Sequence, residues 1–426
     1  MKKVLYVVLD GLGDRPVPQL GGRTPLEAAA APFLGALTLD GETGLVQTVG
    51  KGIAPESDVA VMAILGYDPF TYHTGRGVFE VVGSGMAFQE GNLALRGNFA
   101  TGDGRTILDR RAGRNLASED AHALAEALTR EIRLTRAPAE LEVRASIGHR
   151  AAVAIRRRDG RLSAKISNTD PAYGRVGGGL GVAKAVVGNQ VERCEPLEDT
   201  EEARTAAALV NEFTQRAQEV LDRQPANARR RERGRPPANL LLVRDAGDHL
   251  PKLPAIAERF GLRFGCFVEM PVERGIAELS GMTVIAVPPS GTDKERVYTE
   301  WARTAVREYP RHDGLYMHLK GPDEPGHDGD WRGKTEIIET IDRSFFGTLL
   351  GEVSLDDAVI AVTADHATPA TLGRHSDDPV PLLVAGAGVR PDGSRVFNEA
   401  ACARGGLGTL AGTDIMPLLA RLARGA

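Results

Sequence analysis

Two short stretches in the last third of the chain, Asp323-Glu324-Pro325-Gly326-His327 and Thr363-Ala364-Asp365-His366, each bring a carboxylate and an imidazole together, and Gly373-Arg374-His375-Ser376 follows closely. Carboxylate oxygen and imidazole nitrogen without thiolate suit a borderline-hard dication such as Mn²⁺, Zn²⁺, Co²⁺ or Mg²⁺. Five such donors are more than one catalytic ion usually takes from protein. The pattern therefore predicts a two-metal site with further ligands elsewhere. Pro325 and Gly326 between Asp323 and His327 predict a tight loop rather than a helical turn. Asp365 and His366 would point to opposite faces of a strand, so the chain must bend there to use both.

Other donors are weaker on their own. Asp10 ends the apolar run Val4–Leu9 and precedes Gly11; a carboxylate there could hold a metal, or could equally cap a turn. Ser57-Asp58 before Val59–Leu65 marks a helix N-terminus, where Ser57 alone reads as a cap. With metals nearby, Ser57 becomes a nucleophile whose hydroxyl meets a phosphate at the positive end of the helix. Lys320 and Asp323 follow the run Leu315–Leu319, and His318, alternating with Lys320, could line the same site. Gly333-Lys334-Thr335 lacks the upstream glycine of a P-loop, and no G-x-S-x-G elbow occurs. His73, His122, His149, His249 and His312 have no partner pattern and read as structural or exposed.

Apolar runs must position these groups. Val4–Leu9, Leu240–Val243, Thr283–Val287, Leu315–Leu319, Ala358–Thr363 and Pro381–Val384 alternate with amphipathic stretches such as Glu201–Asp222, Glu295–Glu308 and Thr335–Leu350. Continuously apolar strands alternating with helices predict a mainly parallel sheet covered on both faces. Ligands in such sheets gather beyond the carboxyl ends of the strands, where Asp10, Lys320 and Asp365 stand. The middle third differs. Leu93–Phe99, Glu142–Ser146, Arg150–Arg156 and Leu162–Ile166 alternate apolar and polar residues, as half-buried antiparallel strands do, with a helix over His122–Arg130. This predicts a smaller α+β unit over 86–190 inserted into a core made of 1–85 and 191–426, with Gly177–Gly181 as a candidate hinge.

A net charge of −5 gives no electrostatic case for nucleic acid. The run Arg229–Arg235, flanked by Pro225, Pro236 and Pro237, reads as an exposed linker. Three scattered cysteines form no metal or redox spacing and fit a reducing cytoplasm. No segment is apolar enough to span a bilayer. The expectation is a cytoplasmic protein with no nucleic-acid or membrane partner, its oligomeric state open.

In order and combination the motifs resemble the archaeal-type 2,3-bisphosphoglycerate-independent phosphoglycerate mutases of the alkaline phosphatase superfamily. The carriers are Val8-Leu9-Asp10-Gly11, Ser57-Asp58, Leu65-Gly66-Tyr67-Asp68-Pro69, Thr74-Gly75-Arg76-Gly77, Asn98-Phe99-Ala100-Thr101, Asp109 to Arg114, Lys320-Gly321, Asp323 to Asp330, Asp365-His366 and His375 to Pro381. The resemblance implies an alkaline-phosphatase-like three-layer α/β core with the inserted unit as a lid. It implies two divalent ions (manganese, cobalt, zinc or magnesium) and no bisphosphoglycerate. One ion would be held by Asp323, His327 and His375; the other by Asp10, Ser57, Asp365 and His366. Ser57 would carry a phosphoserine intermediate between 3-phosphoglycerate and 2-phosphoglycerate, the small-molecule substrates. Arg96, Arg110, Arg111 and Arg114 would clamp the substrate, Asp109 would be the acid/base residue, and Lys320 would stand beside the phosphoryl group. The rival expectation is a metal-dependent phosphatase or phosphotransferase on another small phosphorylated acid. In one departure, Glu56 stands where the family usually has glycine, with Val61-Met62 where a histidine is usual; Glu56 is expected to face solvent.

Overall fold

The computed structural model describes residues 1–176, 180–184 and 187–425, so the central glycines of the candidate hinge, 177–179, lie outside the described residues. The chain forms two compact units. The first comprises Met1–Thr71, Leu253–Glu269 and Ala277–Ala426, and the second Tyr72–Lys252 with Met270–Ile276.

The first unit is built on an eight-stranded sheet. Its strand order is Thr283–Val284, Phe264–Phe267, Gly314–Leu319, Lys3–Leu9, Ala358–Thr363, Val380–Gly386, Gly41–Gln47, Gly408–Ala411. Pairing is parallel except around Val380–Gly386, which runs antiparallel to both neighbours. The sheet is thus mixed but mainly parallel. The central strands carry no solvent-exposed residue from Val4 to Leu9, Gly314 to Leu319 or Ala358 to Thr363, which explains their unbroken apolar sequence. Their register sets up everything that follows: Val8 lies opposite both His318 and Thr363, and Leu9 opposite Leu319. Three strands therefore end at one level, and Asp10, Lys320 and Ala364-Asp365 step off the same edge.

The second unit is larger than 86–190. Strand Leu240–Gly247, expected in the core sheet, instead pairs antiparallel with Leu93–Asp103. Leu93–Asp103 pairs on its other side with Arg150–Arg157, which pairs with Ala139–Ala145. An apolar run records burial, not partner, so sequence could not assign this strand. Helix Glu201–Asp222 packs with it, placing Phe213, Val210 and Leu209 in one core with Leu241, Val153 and Phe99. At the front of this unit, helix Arg76–Gly83 sets Val78 and Val81 against Ala94 and Ala154. Gly83 and Gly275 let two helices touch by their backbones: a Cβ on Gly275 would lie 2.1 Å from the Phe79 carbonyl oxygen. Leu162–Ile166 is not a strand; only Ile166 makes an isolated bridge, to Pro196.

Nor is the arginine run a linker. Pro225–Glu232 is a helix, begun by proline at its first position. Arg230 is buried and donates to the carbonyls of Pro236 (2.9 Å), Asn115 (3.1 Å) and Ala112 (2.8 Å), and to Asn115 Oδ1 (2.6 Å). Arg229 and Arg231 pair with Asp120 and Asp222. Replacing Arg230 with Ala strands these acceptors. It should lower the stability of the full chain by about 1–3 kcal/mol, read as a lower urea midpoint; an unchanged midpoint would contradict this role.

Candidate active site

All the expected metal donors come together in the first unit. Gly11 has φ +64°, and a Cβ there would lie 2.8 Å from the Cα of Asp323; only glycine lets the Asp10 turn rest on that segment. Residues Asp323–Asp328 are a short helix rather than the expected loop. Pro325 falls in the first turn, where its missing amide costs nothing. Gly326 lies bare against Thr368, whose carbonyl oxygen would be 2.5 Å from a Cβ. As a helical i, i+4 pair, Asp323 and His327 share one face, with His327 Nε2 and His375 Nε2 each 3.5 Å from Asp323 Oδ1. Helix Ser57–Ile64 begins at Ser57 itself, with Glu56 as N-cap. Ser57 is thus the first helical residue rather than the cap, and its Oγ stands 3.4 Å from His366 Nε2.

The donor atoms of Asp323, His327 and His375 lie within 4.8 Å of one another, as do those of Asp10, Asp323 and His366, and those of Asp10, His318 and Asp365. The two expected ligand sets therefore adjoin, and buried His318 extends them. Its alternation with Lys320 on a strand was the only sequence signal for it.

The imidazoles are oriented for binding. His375 Nδ1 is 2.7 Å from the Pro55 carbonyl and His327 Nδ1 is 3.1 Å from that of Gly373. Carbonyls only accept, so each Nδ1 carries the proton and each Nε2 turns inward. These two Nε2 atoms are 3.2 Å apart. Asp10 Oδ1 and Asp365 Oδ2 are buried and meet no hydrogen-bond partner among the described residues. Inward Nε2 atoms and buried carboxylate oxygens at this spacing fit divalent cations, which would displace the second proton that His375 holds.

Charge in the site is correspondingly strained. Burial pushes the Asp365 carboxyl up to about 7, helped by the Asp10 charge. Burial would do the same to Asp10, but Lys320, 2.8 Å from Oδ2, and the nearby imidazoles of His318 and His366 hold it well below the carboxylate range. Burial and His375 push His366 down to about 3. Burial would also lower His375, yet Asp323, the Glu56 charge and the Pro55 carbonyl raise it to about 10. Glu56 is half-buried rather than solvent-facing, and its charge reaches the site.

A frame missed by sequence holds these loops. Lys334 is fully buried; its Nζ donates to the carbonyls of Gly13 (3.1 Å) and Thr368 (2.9 Å) and pairs with Asp14 at 2.8 Å. Gly333-Lys334-Thr335 reads only as an incomplete P-loop, and no local signal marks such a crosslink.

The expected substrate-clamping residues lie in the second unit. Arg96, Arg111, Arg114 and Arg150 surround His149, whose imidazole is driven to about 3 by burial and then by these four charges. Arg110 donates 2.6 Å bonds from Nη2 to both oxygens of buried Asp170. Asp109 accepts from the backbone N–H groups of Arg111 (2.7 Å) and Gly113 (3.0 Å). It thereby holds a turn in which Ala112, Gly113 and Arg114 all have positive φ, while each carboxylate oxygen keeps a second lone pair.

Fold and site together define an α/β protein that gathers carboxylates, imidazoles and one helix-borne hydroxyl at a sheet edge, as phosphoryl-transfer enzymes do. A family model described as 2,3-bisphosphoglycerate-independent phosphoglycerate mutase matches residues 39–227. A relative of that name from Aeropyrum pernix is 45% identical over 417 residues, covering 96% of each chain. One from Methanopyrus kandleri is 37% identical over 426 residues, covering 99% of this chain and 96% of the other. Among solved structures, the cofactor-independent phosphoglycerate mutase from Thermoplasma acidophilum matches with a TM-score of 0.64 at 33% identity, covering 99% of this chain and 100% of that one. This chain belongs to the 2,3-bisphosphoglycerate-independent phosphoglycerate mutases.

The raised groups give a pH prediction. His375 near 10 and Asp365 near 7 hold protons that a cation must displace, so Mn²⁺ affinity of the metal-stripped chain should rise with pH between 6 and 8. The slope is about tenfold per pH unit for each proton released. Titration calorimetry in buffers of different ionisation enthalpy counts those protons; a count of zero at pH 7 would contradict the assignment.

Proposed function

We propose that this chain interconverts 3-phosphoglycerate and 2-phosphoglycerate without bisphosphoglycerate, through a phosphoserine on Ser57. The observation that carries the reading is Ser57 Oγ at the first turn of its helix, 3.4 Å from His366 Nε2 and hence beside both donor sets. Asp323, His327 and His375 would hold one divalent ion, and Asp10, Ser57, Asp365 and His366 the other. Bound ions would neutralise charge on the transferring phosphoryl group and activate a hydroxyl oxygen.

The chain's own residues do the rest. Ser57 Oγ gives up its proton and forms a bond to phosphorus as the bond to the 3-oxygen of the substrate breaks, and the departing oxygen takes up one proton in exchange. The 2-hydroxyl of the retained glycerate then loses its proton and bonds to phosphorus as the bond from phosphorus to Ser57 Oγ breaks, and Ser57 regains one proton. Lys320, now paired with Asp10, supplies a fixed positive charge to the phosphoryl oxygens. The helix N-terminus adds its amide dipoles. We assign recognition of glycerate's anionic groups to Arg96, Arg111 and Arg114, whose guanidinium groups suit carboxylate and phosphate. Arg110 serves through Asp170 and Tyr173, over whose ring it sits at 5.4 Å. Asp109 holds the turn carrying Arg111 and Arg114.

The test is phosphorus NMR of 3-phosphoglycerate with the chain and Mn²⁺, without bisphosphoglycerate. The expected product is 2-phosphoglycerate; free phosphate in its place would indicate a phosphatase and overturn the reading. Ser57→Ala should reduce turnover by at least about 10³-fold while leaving Mn²⁺ bound at the Asp323 set. Turnover that survives this change would exclude a phosphoserine.

A further inference from the structure

Thr368 is completely buried, and each of its polar atoms is engaged. Its N–H donates to the Gly13 carbonyl (3.0 Å), and its carbonyl accepts from Lys334 Nζ (2.9 Å). Its hydroxyl donates to Asp323 Oδ1 at 2.7 Å and lies 3.0 Å from His366 Nδ1. A hydroxyl has one proton to give. A carboxylate can only accept, so that proton goes to Asp323, and His366 Nδ1 must be the donor to the threonine oxygen. The lone pair of His366 then sits on Nε2. That is the atom lying 3.2 Å from Asp365 Oδ2, 3.5 Å from Asp10 Oδ1 and 3.4 Å from Ser57 Oγ.

We propose that Thr368 is a positioning residue that joins the two ligand sets, its one hydroxyl fixing the tautomer of His366 on one side and aiming Asp323 on the other. His327 and His375 are oriented by backbone carbonyls, each within its own surroundings. His366 is oriented by a side chain that also holds a donor of the opposite set. A disturbance at one set is thus passed to the other through this oxygen, besides the direct stacking of His366 on His375 at 3.7 Å. Bare Gly326 on one side and Lys334 on the other keep the threonine in place. The inference rests on the two-cation reading above.

The test uses the full chain with Thr368→Val, which keeps the shape and removes both bonds, and Thr368→Ser, which keeps the hydroxyl. Mn²⁺ binding is measured by competition with a chelator of known affinity. The valine variant should bind both ions about 10–100-fold more weakly, and the serine variant should restore wild-type affinity. If wild type binds two ions and makes 2-phosphoglycerate while the valine variant binds as tightly as wild type, this inference fails and the functional reading stands. If wild type binds fewer than two ions, the two-cation reading fails and takes this inference with it. A second measurement is independent of how the variants fold. Spectra of ¹⁵N-histidine-labelled, Zn²⁺-loaded wild type should place the His366 proton on Nδ1; a proton on Nε2 would overturn the proposal.

Discussion

Too many electron-rich atoms converge on one buried point, and the rest of the site follows from that crowding. Asp10 and Asp365 are buried carboxylates at the ends of adjacent strands, and two inward imidazole nitrogens stand 3.2 Å apart. Burial penalises uncompensated negative charge by several kcal/mol. Within the chain itself the compensation is makeshift: Lys320 lies against Asp10, and Asp365 and His375 are raised to about 7 and about 10. Each of these is a substitute for the positive charge that divalent ions would bring. A site that only needed structural ion pairs would not direct three imidazole nitrogens inward.

The fold can sustain this arrangement because its supports do not depend on the ions. In-register parallel strands fix the starting points of three loops. Gly11 and Gly326 remove the side chains that would hold those loops apart. Lys334 and Asp14 form a buried ion pair whose remaining bonds go to the same loops; such a pair tolerates burial because its hydrogen-bonding capacity is filled. Preorganisation of this kind lets electrostatics act on a transition state without reorganisation at the moment of reaction.

Much of this was legible in the sequence, for identifiable reasons. Apolar runs that stop at Asp10 and at Asp365 mark strand ends directly, because burial on both faces leaves no polar position inside the strand. Helix Glu201–Asp222 begins and ends where its pattern does. The failures share a cause, which is that local sequence does not encode partners. Leu240–Gly247 reads as a core strand whichever sheet it joins. Pro325-Gly326 reads as a loop, although proline is harmless in a first turn and glycine was needed for contact with Thr368. Arg230 is charged yet buried because a distant turn supplies three acceptors and the Pro236 carbonyl a fourth. Thr368 and Lys334 carry no motif; their roles exist only once the loops are assembled.

Anomalous diffraction from crystals of the chain grown with Mn²⁺ would locate the ions and identify their ligands. Two anomalous peaks are expected, one bounded by Asp323 with Nε2 of His327 and His375, the other by Asp10, Asp365, Ser57 and Nε2 of His366. A single peak, or coordination through Nδ1 of any of these histidines, would contradict the two-cation reading.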